Sequence, residues 1–130
     1  GEADLAAVKE VMSALKKGEK VVVFPEGTRN TSGVDLLPLK NGVALMALKT
    51  QSQVIPFMYY DKSGFFKKNY LLVGHPFTFD EYYDMPSHEI EDRVTALMRE
   101  KMLETRRELI EIVENYKGSY KKYLAAKEGK

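Results

Sequence analysis

The run Phe24-Pro25-Glu26-Gly27-Thr28-Arg29-Asn30 gathers the groups best suited to chemistry. Gly27 can take a positive φ and lets a ligand approach the backbone. Thr28 adds a hydroxyl and a backbone N–H. Arg29 adds a planar fork of donors that matches a phosphate bidentately. Together they suit an anion. Glu26 repels a bare phosphate. It suits instead a role in holding the loop, orienting Arg29, or accepting a hydrogen bond from a substrate hydroxyl beside the phosphate. On residue types alone, an ordinary turn with a solvated Arg and Glu accounts for the run as well, because charged, turn-rich loops are common.

Composition narrows the remaining chemistry. The 130 residues contain no Cys, which removes disulfides, thiolate nucleophiles and Cys-ligated metals together. His75 and His88 are the only histidines, too few for a His-rich metal site. A net charge of +1 argues against a dedicated nucleic-acid binder. With 44% hydrophobic and 30% charged residues, the chain has the make-up of a globule with a real core. No apolar run is long enough to cross a membrane. The opening Gly1-Glu2 leads almost directly into a helical pattern, which reads as a start inside a longer chain or as a processed end.

The elements that must position these groups follow from periodicity. Leu5, Val8, Met12 and Leu15 form one apolar stripe, predicting a helix over about 3–17 that stops at Lys16-Lys17-Gly18. Val21-Val22-Val23-Phe24 reads as a strand buried on both faces, ended by Pro25. Residues 26–38 are loop, and a helix runs from Lys40 to Lys49. Val54 to Tyr60 is a second strand. Tyr70 to Val73 is a third, its antiparallel hairpin partner, because the turn between them is too short for a crossover. Pro86 to about Tyr116 predicts one long helix, or two abutting ones, about 45 Å in length. Its apolar face is Ile90, Val94, Leu97, Met98, Leu109, Ile110 and Val113. The order predicts an α/β fold: a partial mixed sheet flanked by helices, with a long C-terminal helix. The loop at 26–33 follows a strand's carboxyl end, where such sheets bind ligands.

The string Phe24-Pro25-Glu26-Gly27-Thr28-Arg29 closely resembles the third conserved block of the membrane glycerophospholipid acyltransferases, the 1-acylglycerol-3-phosphate acyltransferase family. Its surroundings are similar too. Lys17-Gly18-Glu19-Lys20 and the Val21–Val23 run lead in, and Ser32-Gly33 and Lys40-Asn41-Gly42-Val43-Ala44 follow. Val54-Ile55-Pro56 resembles the fourth block, and Gly74-His75-Pro76 the Gly-x-Pro that ends a strand. The resemblance spans about residues 4–80 and implies that Glu26, Gly27, Thr28 and Arg29 bind the phosphate of an acyl acceptor. Arg29 would hold it directly, and Lys40 would add charge. The Ile55-Pro56 block is structural or lines the acyl site in that family, and core packing is the reading adopted for it here.

In that family a His-x4-Asp block upstream supplies the general base and its orienting carboxylate. No His precedes Phe24 here, so the resemblance implies no catalytic residue in this chain, and a base upstream of Gly1. His75-Pro76-Phe77-Thr78-Phe79-Asp80 has the literal spacing but the wrong order, in a slot without a catalytic role. His75 is therefore expected away from the phosphate loop, with no carboxylate poised on it. Residues 1–116 would be the C-terminal part of one acyltransferase domain, and 117–130 a basic tail, helical or disordered. The implied reaction moves a fatty acyl group from acyl-CoA or acyl-carrier-protein to lysophosphatidic acid, without a metal or bound cofactor, at a membrane surface on the cytoplasmic face. Phe65-Phe66-Lys67-Lys68 and the tyrosines and lysines from Tyr116 onward suit a headgroup region, though a hairpin turn and a frayed tail explain them as well. Two rivals stand beside this reading: a non-catalytic anion- or lipid-binding α/β module, and a transferase acting on a lysophospholipid with a headgroup.

Overall fold

The computed structural model describes residues 2–26, 36, 39–60 and 70–129. In chain order the elements are α1 (Glu2–Lys16), α2 (Asn41–Lys49), β1 (Phe57–Tyr59), β2 (Leu71–Val73), a 3-10 turn (Asp80–Tyr82), α3 (Ser87–Tyr116) and α4 (Tyr120–Glu128). This is the mixed α/β class with a long helix near the C-terminus that the sequence predicts. The chain divides into two compact units, one of Gly1–Val54 and Pro76–Glu100, the other of Ile55–His75 and Lys101–Lys130.

In the first unit α1 stops where its sequence says it should. The Gly18 N–H donates to Leu15 O and the Glu19 N–H to Ala14 O, both at 3.0 Å. Gly18 turns through φ +84, so the closure is a Schellman motif. The α1 stripe is only half covered, and Leu5 is 57% exposed. The buried residues of this unit come instead from Leu36, from Ala44, Met46, Ala47 and Leu48 of α2, from Phe79, and from Ile90, Val94 and Met98 of α3. Val54 and Phe77 exchange two backbone hydrogen bonds, at 2.8 and 2.9 Å. The Phe77 ring stands edge-on to Phe79 with centroids 5.5 Å apart.

The Val21–Phe24 expectation needs correction. Among the described residues this run pairs with no strand, and Val22 and Phe24 are 66% and 74% exposed. A strand buried on both faces needs neighbours on both edges and a layer on each side. A β-branched run supplies the conformational preference but not those neighbours.

In the second unit β1 and β2 form the expected antiparallel hairpin, pairing Phe57 with Val73, Met58 with Leu72 and Tyr59 with Leu71. The pleat turns Met58 inward and leaves Phe57, Tyr59, Leu71 and Val73 exposed. The Arg106 Nη1 of α3 donates to the carbonyls of Tyr59 and Tyr60, each at 2.8 Å, and so fastens the hairpin to the helix. α3 is a single helix of 30 residues. It buries Thr105, Leu109 and Ile112 here, while Ile110 and Val113 are half-buried, as is Leu97 in the first unit. The Thr105 hydroxyl is satisfied by donating to Lys101 O at 2.9 Å. Among the described residues no helix is long and apolar enough to cross a membrane.

The chain after Tyr116 forms α4 rather than a frayed tail. Lys117 and Gly118 both take positive φ, and Ser119 then caps α4 by accepting from the Lys122 N–H at 3.2 Å. A Cβ on Gly118 would collide with Tyr70 Cε1, so the turn is built around a residue with none. Tyr123 is the buried anchor of α4, edge-on to Tyr116 at 5.6 Å and stacked on Tyr120 at 6.0 Å.

Candidate functional site

Glu26 is half-buried and is the last described residue of the Phe24–Arg29 block; Gly27, Thr28 and Arg29 lie outside the described residues. The ground on either side of them is well defined. Pro25 has no N–H but keeps its carbonyl, and the Lys40 N–H donates to that oxygen at 2.8 Å. Pro25 and Lys40 are thereby joined although separated in the chain. Lys40 holds an extended backbone (φ −75, ψ 127) and serves as N-cap of α2, one residue before the helix proper. Its side chain is exposed, and the first turn of α2 carries no acidic residue. The backbone of Lys40 thus lies against Pro25, the residue before Glu26.

The far side of the loop has its own anchor. Leu36 is 3% exposed, and its carbonyl accepts a hydrogen bond from Arg99 Nη2 of α3 at 2.8 Å. The sequence singles out neither residue. Arg99 follows the buried Met98 on an otherwise polar stretch of α3, and nothing in the pattern pairs it with a residue 63 positions away. An open depression of about 420 Å³ also lies along α1, lined by Lys9, Met12, Ser13, Lys16 and Lys17, none of which the sequence motifs assign to a site.

His75 emerges directly after β2, and Gly74 just before it donates its N–H to Pro56 O at 2.6 Å. The Pro of the fourth block and the Gly of the Gly-x-Pro are therefore partners on one hairpin. The expectation that no carboxylate sits on His75 is corrected: Glu108 Oε2 of α3 lies 3.5 Å from His75 Nε2. α3 carries Glu108 past the end of the hairpin, a placement that a strand-by-strand reading does not contain. Asp80 is exposed and opens the 3-10 turn. His88 lies in the first turn of α3.

A family model described as acyltransferase matches residues 2–60, which takes in α1, the block at 24–29, α2 and the fourth block. A 1-acyl-sn-glycerol-3-phosphate acyltransferase of Borreliella burgdorferi is 39% identical over 64 residues, 49% of this chain and 25% of that protein. Over residues 2–60 the chain is thus similar to the acyltransferase family, and the relatives it matches are 1-acyl-sn-glycerol-3-phosphate acyltransferases. The human 1-acyl-sn-glycerol-3-phosphate acyltransferase beta is 39% identical over 62 residues, 46% of this chain and 22% of that protein. The Bacillus subtilis 1-acyl-sn-glycerol-3-phosphate acyltransferase is 29% identical over 109 residues, 80% of this chain and 53% of that protein. The chain thus spans about a quarter to a half of the length of these curated relatives. No solved structure matches it.

Proposed function

We propose that this chain supplies the acceptor-phosphate site of a 1-acylglycerol-3-phosphate O-acyltransferase in phospholipid biosynthesis. The acceptor is lysophosphatidic acid, the donor acyl-CoA or acyl-carrier-protein, and the product phosphatidic acid. The observation that supports this reading is the hydrogen bond from the Lys40 N–H to Pro25 O at 2.8 Å, which brings the N-cap of α2 against the residue before Glu26. In the reaction the acceptor hydroxyl oxygen attacks the thioester carbonyl. The new C–O bond forms as the C–S bond breaks, the thiol leaves, and the hydroxyl proton passes to a base. That base is a His-Asp pair outside this sequence. Arg29 and Lys40 bind and orient the phosphate, so that the free hydroxyl is held where the base and thioester meet. The enzyme works at the cytoplasmic face of a membrane, where its acceptor resides.

The test is the acceptor dependence of Arg29 variants in the complete enzyme. A charge-assisted, desolvated contact with phosphate is worth about 1.5–3 kcal/mol. Arg29→Ala is expected to raise the KM for lysophosphatidic acid at least ~10-fold, and Arg29→Lys to recover only part of it, because an ammonium is a point charge. An unchanged acceptor KM removes Arg29 from the site.

A further inference from the structure

The positive charge of this chain is concentrated at one end. The last 14 residues hold five Lys and one Glu, whereas the preceding 116 hold 15 Lys and Arg against 18 Asp and Glu. The basic end is also ordered. Ser119 caps α4, and one side of the helix is held against α3. There Tyr123 is buried edge-on to the Tyr116 ring. Lys127 is committed twice on that side, at 3.5 Å from Glu111 Oε1 and over the Tyr123 ring.

The outer side of α4 combines two other kinds of group. Tyr120 and Leu124 are 43% and 42% exposed, and residues four apart on a helix share a face. Lys121, three residues before Leu124, adjoins them. Lys117, Lys121 and Lys122 are exposed, and none of them forms an ion pair among the described residues. We propose that this side of α4 is a contact surface for an anionic lipid bilayer, with Tyr120 and Leu124 entering the boundary between headgroups and acyl chains and Lys117, Lys121 and Lys122 meeting the lipid phosphates. Apolar and tyrosine side chains flanked by lysines suit that boundary, where one end of a group is dry and the other wet. A second copy of α4 would set these lysines against their own kind. A nucleic acid offers Leu124 no continuous apolar layer to enter. This role of α4 rests on the membrane part of the reading above, in which acceptor and product are both anionic lipids. It concerns residence at the surface and not the transfer step.

The test uses the 130-residue chain, which contains no Trp, so that Leu124→Trp places a single indole on α4. With vesicles of phosphatidylcholine containing phosphatidylglycerol, its emission is expected to shift to the blue. Pure phosphatidylcholine vesicles should give little shift, and added salt should reverse it by screening the lysines. Lys121→Gln with Lys122→Gln removes two exposed charges and leaves Tyr123 in place. That double variant should bind the anionic vesicles ~10- to 30-fold more weakly in a sedimentation assay, with the far-ultraviolet circular dichroism unchanged. An indole that stays unshifted while the chain sediments with the vesicles would assign binding to another surface, such as the exposed hairpin face, and would overturn the role of α4 alone. Undiminished binding of the Lys121→Gln, Lys122→Gln variant would do the same. An RNA oligomer that competes fully with the vesicles and shifts the indole equally would show a general polyanion site and also overturn it. If the unaltered chain binds neither kind of vesicle, the role of α4 fails together with the membrane part of the reading for this chain, while the acceptor-phosphate part is judged separately by Arg29→Ala.

Discussion

The His75 side chain is 80% exposed and faces Glu108 at 3.5 Å. Such an imidazole is oriented by a surface carboxylate and lies open to solvent. A general base has to be aimed at the hydroxyl of a substrate whose phosphate is already held. His75→Ala is therefore expected to keep acyl transfer within a few fold, measured at saturating acceptor. A folded but inactive variant would give His75 the role assigned to the upstream His. Tyr123 gives a second prediction at this scale. Burial raises its phenol above the ordinary value of 10.0, and the charges of Glu108 and Glu111 add to the shift. The folded state thus holds its proton more tightly than the unfolded state does. Stability from this group is complete below the ordinary value and is lost as the pH climbs through the raised one. Tyr123→Phe cannot ionise. Its melting temperature should fall less steeply than that of the unaltered chain above pH ~10, and parallel curves would show that Tyr123 contributes nothing to the alkaline loss.

Two glycines at element ends share a backbone conformation but not their surroundings. Gly18 has φ +84 with open space for 4 Å around the place a Cβ would take, whereas Gly118 has φ +79 with the Tyr70 ring against it. Gly18→Ala should cost about 1 kcal/mol, the strain of a left-handed non-glycine residue. Gly118→Ala should cost that and a further ~1–3 kcal/mol for displacing the ring, so its melting temperature should drop distinctly further. Equal drops would mean that Tyr70 yields freely. The first of these stops is legible in the sequence, because Lys16-Lys17-Gly18 follows a periodic stripe and a helix end needs only local groups. The hairpin of β1 and β2 is legible for the same reason: a short turn allows only antiparallel return. Gly118 is not, since its need for a missing Cβ comes from Tyr70, far away in the chain. Val21–Phe24 fails in the opposite sense, its composition being right for a strand and its partners absent among the described residues.

At the scale of the whole molecule the same division holds for the site. The block Phe24–Arg29 announces itself in sequence, because its residue types are the chemistry. The contacts that frame it, Lys40 to Pro25 and Arg99 to Leu36, end on backbone carbonyls brought into place by tertiary structure, and no residue type encodes them. The hairpin shows what tertiary structure leaves undone. Ile55, Phe57, Tyr59, Leu71 and Val73 are between 39% and 60% exposed, and the last four are cross-strand pairs on one face. Isolated exposed apolar side chains are ordinary, but a contiguous patch of this kind favours association. Among the described residues no third strand joins β1 and β2, and an edge strand adds backbone hydrogen-bonding groups to that tendency. The 130-residue chain by itself is expected to self-associate at micromolar concentration, seen as a concentration-dependent mass by light scattering and as binding of a hydrophobic dye. Replacing the directly opposed pair Phe57 and Val73 by Thr puts β-branched, strand-favouring residues at both positions while removing apolar surface. That double variant should shift the mass towards the monomer and lower dye binding, with the far-ultraviolet circular dichroism unchanged. A strictly monomeric unaltered chain across the same concentrations, or association that persists in the variant, would show that this face is not the one that drives it.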